Sequence, residues 1–179
     1  MALCLTLVGF AAGLAALVLK EPEVAHHQRV GRETGLPVPR FVSLKSDPAN
    51  VRQGPGFKHR IKWIFQRESV PLEILAEFDG WRKIRDFDGA TGWIHRALIG
   101  PARKAWVAPW ERAQMFALRS EPRADASTLA TVEPKVLVSV NHCSGTWCNV
   151  TKQSFDGYIR QQNLWGVYPN EVIDDRSVF

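Results

Sequence analysis

The residues able to do covalent or acid–base chemistry are few, and their spacing limits what they can do. Cys143 and Cys148 bracket the run Ser144-Gly145-Thr146-Trp147. Four intervening residues exclude a redox C-x-x-C, and His142 beside Cys143 leaves a zinc site two ligands short. Ser144-Gly145 supplies turn chemistry, so the two cysteines can face each other across a hairpin and form a disulfide in an oxidising compartment. A loop this short gives an entropic gain of about 2 kcal/mol. Cys4 lies in an apolar N-terminal stretch and stands apart from the pair.

His59, His95 and His142 fall in three separate segments, and His95 with Glu73 and Ser69 has no triad spacing. Adjacent imidazoles at His26-His27 make a weak metal site. No catalytic set, metal or cofactor is therefore expected. Aromatics are a better prospect, because an exposed ring beside a cleft can dock an extended or Pro-containing peptide. Phe57, Trp63, Trp106 and Trp110 are the ligand-binding candidates.

The elements that would position these residues follow from the patterning. Ala2 to Leu19 carries no charge over 18 residues, and Lys20 is the first charged residue. Such a segment is a secretory signal or a membrane anchor, with an apolar helix expected within residues 1–25 and cleavage favoured. The folded part is then extracytoplasmic (periplasmic in a two-membrane cell), and residues 2–19 are a candidate membrane tether. Residues 26–39 are polar and punctuated by Gly31, Gly35, Pro37 and Pro39, which reads as a linker. From Arg40 onward, short apolar alternations such as Ile61-Lys62-Trp63-Ile64-Phe65 and Trp81-Arg82-Lys83-Ile84 are separated by turn residues. No later stretch holds a helical period, so the class is all-β, a small barrel or sandwich.

Net charge is +5, from 23 Lys+Arg against 18 Asp+Glu. Over residues 1–45, 46–100, 101–115, 116–166 and 167–179 it is +2, +2, +2, +1 and −2. A phosphate footprint is clustered, so nucleic acid is not an expected partner. Anionic envelope polymers or lipid head groups suit the diffuse balance better.

The landmarks repeat. Val51-Arg52-Gln53-Gly54-Pro55 returns as Leu118-Arg119-Ser120-Glu121-Pro122, Trp81 as Trp147, and Gly92-Trp93-Ile94 as Gly157-Tyr158-Ile159. From Arg to Trp is 29 residues in the first copy and 28 in the second; from Trp to Gly, 11 and 10. The chain is a tandem repeat of one unit of roughly 55 to 60 residues. The expected core of the repeat is Trp81, Ile84, Trp93 and Ile94 in copy one, matched by Trp147, Val150, Tyr158 and Ile159 in copy two. Gly80 and Gly92 are expected at tight turns. A barrel of this size is marginal alone, so packing through Trp106, Trp110 and Trp165 is expected to make one compact pair.

The first copy carries D-P-A-N-V-R-Q-G-P-G at 47–56, V-P-L-E-I-L at 70–75, G-W-R-K-I at 80–84 and G-A-T-G-W-I at 89–94. This pattern resembles bacterial SH3-like domains across residues 40 to 166. The run Leu164-Trp165-Gly166-Val167-Tyr168-Pro169 resembles the ending of a two-copy subgroup of bacterial envelope proteins. The resemblance implies two tandem SH3-like small β-barrels, at 40–100 and 101–166, with a C-terminal tail at 167–179. It also implies export and a binding rather than catalytic role. The expected function is a non-catalytic envelope module recognising peptidoglycan peptide or a protein partner. The alternatives are a structural subunit of an envelope complex and, third, a nucleic-acid-binding barrel.

Overall fold

The repeated sheets begin where the apolar alternation begins, at Arg40, and two copies of one strand order follow. The computed structural model describes residues 29–174. The expected N-terminal helix, Cys4 and the last five residues therefore lie outside the described residues. Within them the protein is all-β, its helical turns being two short 3-10 turns, and no helix is long and apolar enough to cross a membrane.

A short hairpin comes first: β1 (Arg29–Val30) pairs with β2 (Pro37–Val38). The first unit comprises β3 (Arg40–Leu44), β4 (Ala49–Arg52), β5 (Ile61–Phe65), β6 (Pro71–Phe78), β7 (Trp81–Arg85), β8 (Thr91–His95) and β9 (Ile99–Gly100). The second comprises β10 (Lys104–Val107), β11 (Phe116–Arg119), β12 (Thr128–Val132), β13 (Leu137–Ser144), β14 (Trp147–Lys152), β15 (Phe155–Arg160) and β16 (Leu164–Trp165). The sheet order is β5-β4-β8-β7-β6-β3-β9 in one and β12-β11-β15-β14-β13-β10-β16 in the other, position for position the same. A last strand, β17 (Val172–Ile173), pairs with β13.

Each sheet folds over its own core. Val51 on β4, Ile74 on β6, Ile84 on β7, Ile94 on β8 and Ile99 on β9 share one cluster. A flat seven-stranded sheet would spread these residues over about 25 Å, so the sheet must wrap. Bulges supply the bend, and they recur at equivalent places: between Ile74 and Ala76 on β6, and between Val140 and His142 on β13. No ladder joins the terminal strands of either path among the described residues, so the sheets are not the closed barrels that the resemblance implies. The short β9 and β16 pair with β3 and β10 instead, leaving β5 and β12 as free edges.

The close approach of β4 to β8 explains Gly92. It sits in β8, not at a turn, and a Cβ there would lie 2.4 Å from Val51 Cγ1. Gly157 faces Arg119 O and Leu118 in the same way in the second copy. At the β6–β7 turn the left-handed backbone belongs to Asp79 (φ 49°), so Gly80 is not the residue that needs it.

The expected core stripe also needs one correction. Ile84, Ile94, Val150 and Ile159 are fully buried in the clusters. Trp81 and Trp147 are buried but outside those clusters, because three residues along a strand reverse the face. Trp93 and Tyr158 are half-buried, each one residue out of phase with its inward neighbour.

Segments read as linker and tail are built into the units. The β1–β2 hairpin docks on Glu77, whose carboxylate accepts from the backbone N–H groups of Glu33 and Thr34 at 3.0 Å each and from the Thr34 hydroxyl at 2.8 Å. Arg40 adds a 2.6 Å ion pair to the same group, and Arg82 approaches it to 3.4 Å. Burial alone would raise this carboxyl, but Arg40 and the Thr34 and Glu33 donors outweigh it and hold Glu77 at about 2. At the other end, Ile173 of the expected tail is 3% exposed against β13.

Candidate functional site

The four aromatic candidates do not converge. Trp106, on β10, is buried in the core cluster of the first unit, with Phe87 at 6.1 Å and the Arg67 guanidinium 5.2 Å from its ring. It joins the two units and is not a groove residue. Trp63 is half-buried against the same cluster, edge-on to Phe65. Phe57, by contrast, is 71% exposed on the β4–β5 loop, and Trp110 is 56% exposed on the β10–β11 loop. Trp110 was expected between the units and is not there.

The junction is made instead by the sequence Leu164 to Pro169. Trp165 lies 5.1 Å from Phe41 and 6.4 Å from Phe87, while Tyr168 lies 4.8 Å from Phe41. The Tyr168 hydroxyl donates to Glu73 Oε1 at 2.9 Å, and Arg85 Nε donates to the other oxygen at 2.8 Å. Burial and the neighbouring Glu73 charge push the Tyr168 phenol well up, so it remains a donor at any pH the fold meets. Gly166 allows the crossing, with φ 133° and the Lys104 carbonyl 2.3 Å from where a Cβ would lie. Arg103 holds the far side by two hydrogen bonds to Glu171, at 2.8 and 2.9 Å, and one to the Gly166 carbonyl.

Beyond this junction the segment folds back over the second unit and forms a cleft of about 460 Å³. Its lining includes Trp110, Thr146, Arg160, Gln161, Gln162 and Asn170. Three local structures set the walls. The turn bearing Trp110 is tied down by Ala108, which has φ 32° and donates its N–H to the Asn163 carbonyl at 2.7 Å. Gln161 opens the 3-10 turn Gln161–Asn163, and its backbone N–H bonds to the Thr146 carbonyl at 2.9 Å. The third wall is the returning segment, held by Gln161 Nε2 through the carbonyls of Tyr168 (2.8 Å) and Glu171 (2.9 Å).

Two residues of this lining carry polar groups without a hydrogen-bonding partner among the described residues. Gln161 is 4% exposed, and its Oε1 is buried without a hydrogen-bond partner. An amide oxygen in that state costs about 1–3 kcal/mol unless a donor reaches it. Arg160 is exposed, stacks 4.3 Å over the Trp147 ring, and has no ion pair or side-chain hydrogen bond among the described residues. The cleft therefore offers an apolar indole wall and a guanidinium fork, with an unpartnered amide oxygen buried in its lining. Those groups suit a short peptide with free N–H groups and a carboxylate.

The equivalent place in the first unit is different. His95 pairs with Trp81 across the ladder as Arg160 does with Trp147. Phe57 closes over that tryptophan, its ring 5.0 Å from Trp81 and 5.6 Å from His95. This gives an aromatic shelf rather than a cleft. Among the described residues no group of three His, Cys, Asp or Glu could hold a metal ion. His95, His142 and Glu73 have separate partners in Trp81, Tyr158 and Arg85.

Cys143 and Cys148 form the expected disulfide, directly opposite each other across β13 and β14. It is buried in the second core, behind the strand end that leads to Gly145 and Thr146 in the cleft. Sequence reasoning singled out Trp110 but missed Gln161, Arg160 and the returning segment. The Gln161-Gln162-Asn163 run has no periodicity or charge signal to mark it.

The family model described as bacterial SH3 domain matches the chain twice, over residues 45–101 and 112–166. No curated protein matches the sequence. Solved structures similar to it include NlpC2 and NlpC1 from Trichomonas vaginalis, each 13% identical with a TM-score of 0.32. The matches cover 71% and 75% of this chain and 48% of each of those chains, so it spans about half their length.

Proposed function

Because the chain belongs to the bacterial SH3 domain family, we propose that it is a non-catalytic binding module of the cell envelope. Its ligand is a short cell-wall peptide, or a peptide segment of an envelope protein, held in the cleft of the second unit. The observation that carries this reading is the cleft itself. Gln161 Oε1 is buried there without a donor, beside an exposed indole and an unpaired guanidinium. A peptide N–H would satisfy the first, an alanine-sized side chain would cover the second, and a carboxylate would pair with the third. The extracytoplasmic setting is supported by the disulfide and by the uncharged stretch at residues 2–19.

Co-sedimentation with purified peptidoglycan tests the reading. Saturable binding is expected, weakened at least tenfold by Trp110→Ala and by Arg160→Gln, both exposed positions whose replacement leaves the circular-dichroism spectrum unchanged. Absence of binding at any ionic strength would favour a structural subunit and overturn the peptide site. Binding by both variants equal to the parent would move the site off this cleft.

A further inference from the structure

Charge counted over long segments hides a local asymmetry between the two units. The β4–β5 hairpin, residues 49–65, contains Arg52, Lys58, Arg60 and Lys62 and no acidic residue. The equivalent β11–β12 hairpin, residues 116–132, balances Arg119 and Arg123 with Glu121 and Asp125, and Arg123 pairs with both acids. Of the acidic residues elsewhere in the first unit, Glu73 and Glu77 are occupied internally, by Arg85 and Tyr168 and by Arg40 and Arg82, whereas Asp47, Glu68, Asp79 and Asp88 are exposed outside the hairpin.

Arg52 builds the loop and does not face outward as a free cation. It donates to the carbonyls of Phe57 (3.1 Å) and His59 (2.8 Å), fixing Phe57 at the tip. Lys58 and Arg60 are exposed, with no ion pair or side-chain hydrogen bond among the described residues. Beside them Phe57 is 71% exposed, and Ile61 and Ile64 on β5 are 43% and 46% exposed. Apolar side chains ringed by unpaired cations fit a surface that is apolar below a negative boundary.

The chain's own course points the same way. The β1–β2 hairpin docks on Glu77, and the next residue, Phe78, is 58% exposed and pairs across the ladder with Trp81, on which Phe57 rests. Ten peptide steps separate Leu19, the end of the uncharged stretch, from Arg29. Fully extended they span at most about 35 Å.

We propose that the β4–β5 hairpin of the first unit, with Phe57 at its tip and Lys58 and Arg60 beside it, docks on an anionic lipid surface. This face is separate from the cleft and does not depend on the peptide-binding reading. A nucleic-acid ligand fits less well, because Phe57 stands edge-on against Trp81 and offers one ring rather than a stacking platform.

Flotation of the full chain with phosphatidylcholine vesicles, with and without phosphatidylglycerol, tests the proposal. The apolar N-terminal stretch is present in every sample, so the differences carry the result. Partition is expected to rise with phosphatidylglycerol and fall with added salt. Lys58→Gln with Arg60→Gln should weaken partition to the anionic vesicles by about 30-fold, two surface charges' worth, and leave the neutral vesicles unaffected. Phe57→Ala should weaken it several-fold, whereas Trp110→Ala should float as the parent does. Unchanged flotation of the double variant would overturn the proposal. So would tighter binding to soluble duplex DNA than to the vesicles at the same salt.

Discussion

Glu77 and Arg82 in the first unit occupy the same ladder position as Cys143 and Cys148 in the second, directly opposite each other at the end of the bulged hairpin. One unit fastens that hairpin with a buried ion pair, the other with a covalent bond. Each fastening also receives a segment from outside the repeat. The β1–β2 hairpin binds at Glu77, and β17 pairs at Cys143 and Ser144. The chemistry fits the visitor. A carboxylate can accept the unpaired N–H groups of a turn, whereas a disulfide leaves the backbone of β13 free to pair with another strand. The same repeat can thus take a docked hairpin in the first unit and the wall of a cleft in the second.

Breaking each fastening in turn should separate the units. Glu77→Ala has the largest expected effect, about 3–5 kcal/mol, because it leaves Arg82 buried without its partner. Hydrogen exchange should rise in β1, β2, β6 and β7, with β13 and β14 little changed. Acid should act on the same place. Glu77 is held at about 2, against an ordinary 4.5. Its contribution is therefore complete above about pH 4.5 and is lost as pH falls toward 2, on the order of 3 kcal/mol. A melting series from pH 6 to pH 2 should show this loss in the parent and a flatter slope in Glu77→Gln.

Replacing both Cys143 and Cys148 by alanine should cost about 2–3 kcal/mol, with exchange rising in β13, β14 and β17. Loss of protection in the first unit as well would mean that the fastenings are not independent. The smallest effect belongs to the junction. Tyr168→Phe removes the hydroxyl bond to Glu73 and should lower stability by about 1 kcal/mol, seen as a modest fall in melting temperature.

Much of this was legible in the sequence, for identifiable reasons. The repeat, the all-β class and the disulfide follow from spacing and turn chemistry, which are local. Trp106 and Trp165 were correctly set between the units, since a small unit must cover its aromatics somewhere. Trp110 was misplaced because composition cannot say which side of a turn a ring takes. Trp81 is buried as expected, but its odd spacing from Ile84 on a strand puts the two on opposite faces and Trp81 outside the main cluster. The cleft was invisible for a deeper reason. Its walls come from Thr146, the turn at Gln161 and the returning segment, which meet only when Leu164 to Pro169 crosses between the units. The basic hairpin was hidden by averaging its cations with acids that lie elsewhere in the same unit.

On the proposed reading, ligand enters the second unit at Trp110 and Gln161 and not at the equivalent shelf of the first. Hydrogen exchange of the full chain, with and without muropeptides released from purified peptidoglycan, measures this directly. Slowed exchange at Ala108–Glu111, Thr146–Trp147 and Gln161–Asn163, with Phe57 and Trp81 unaffected, is the predicted result. Protection confined to the Phe57–Trp81–His95 shelf, or none in either unit, would contradict it.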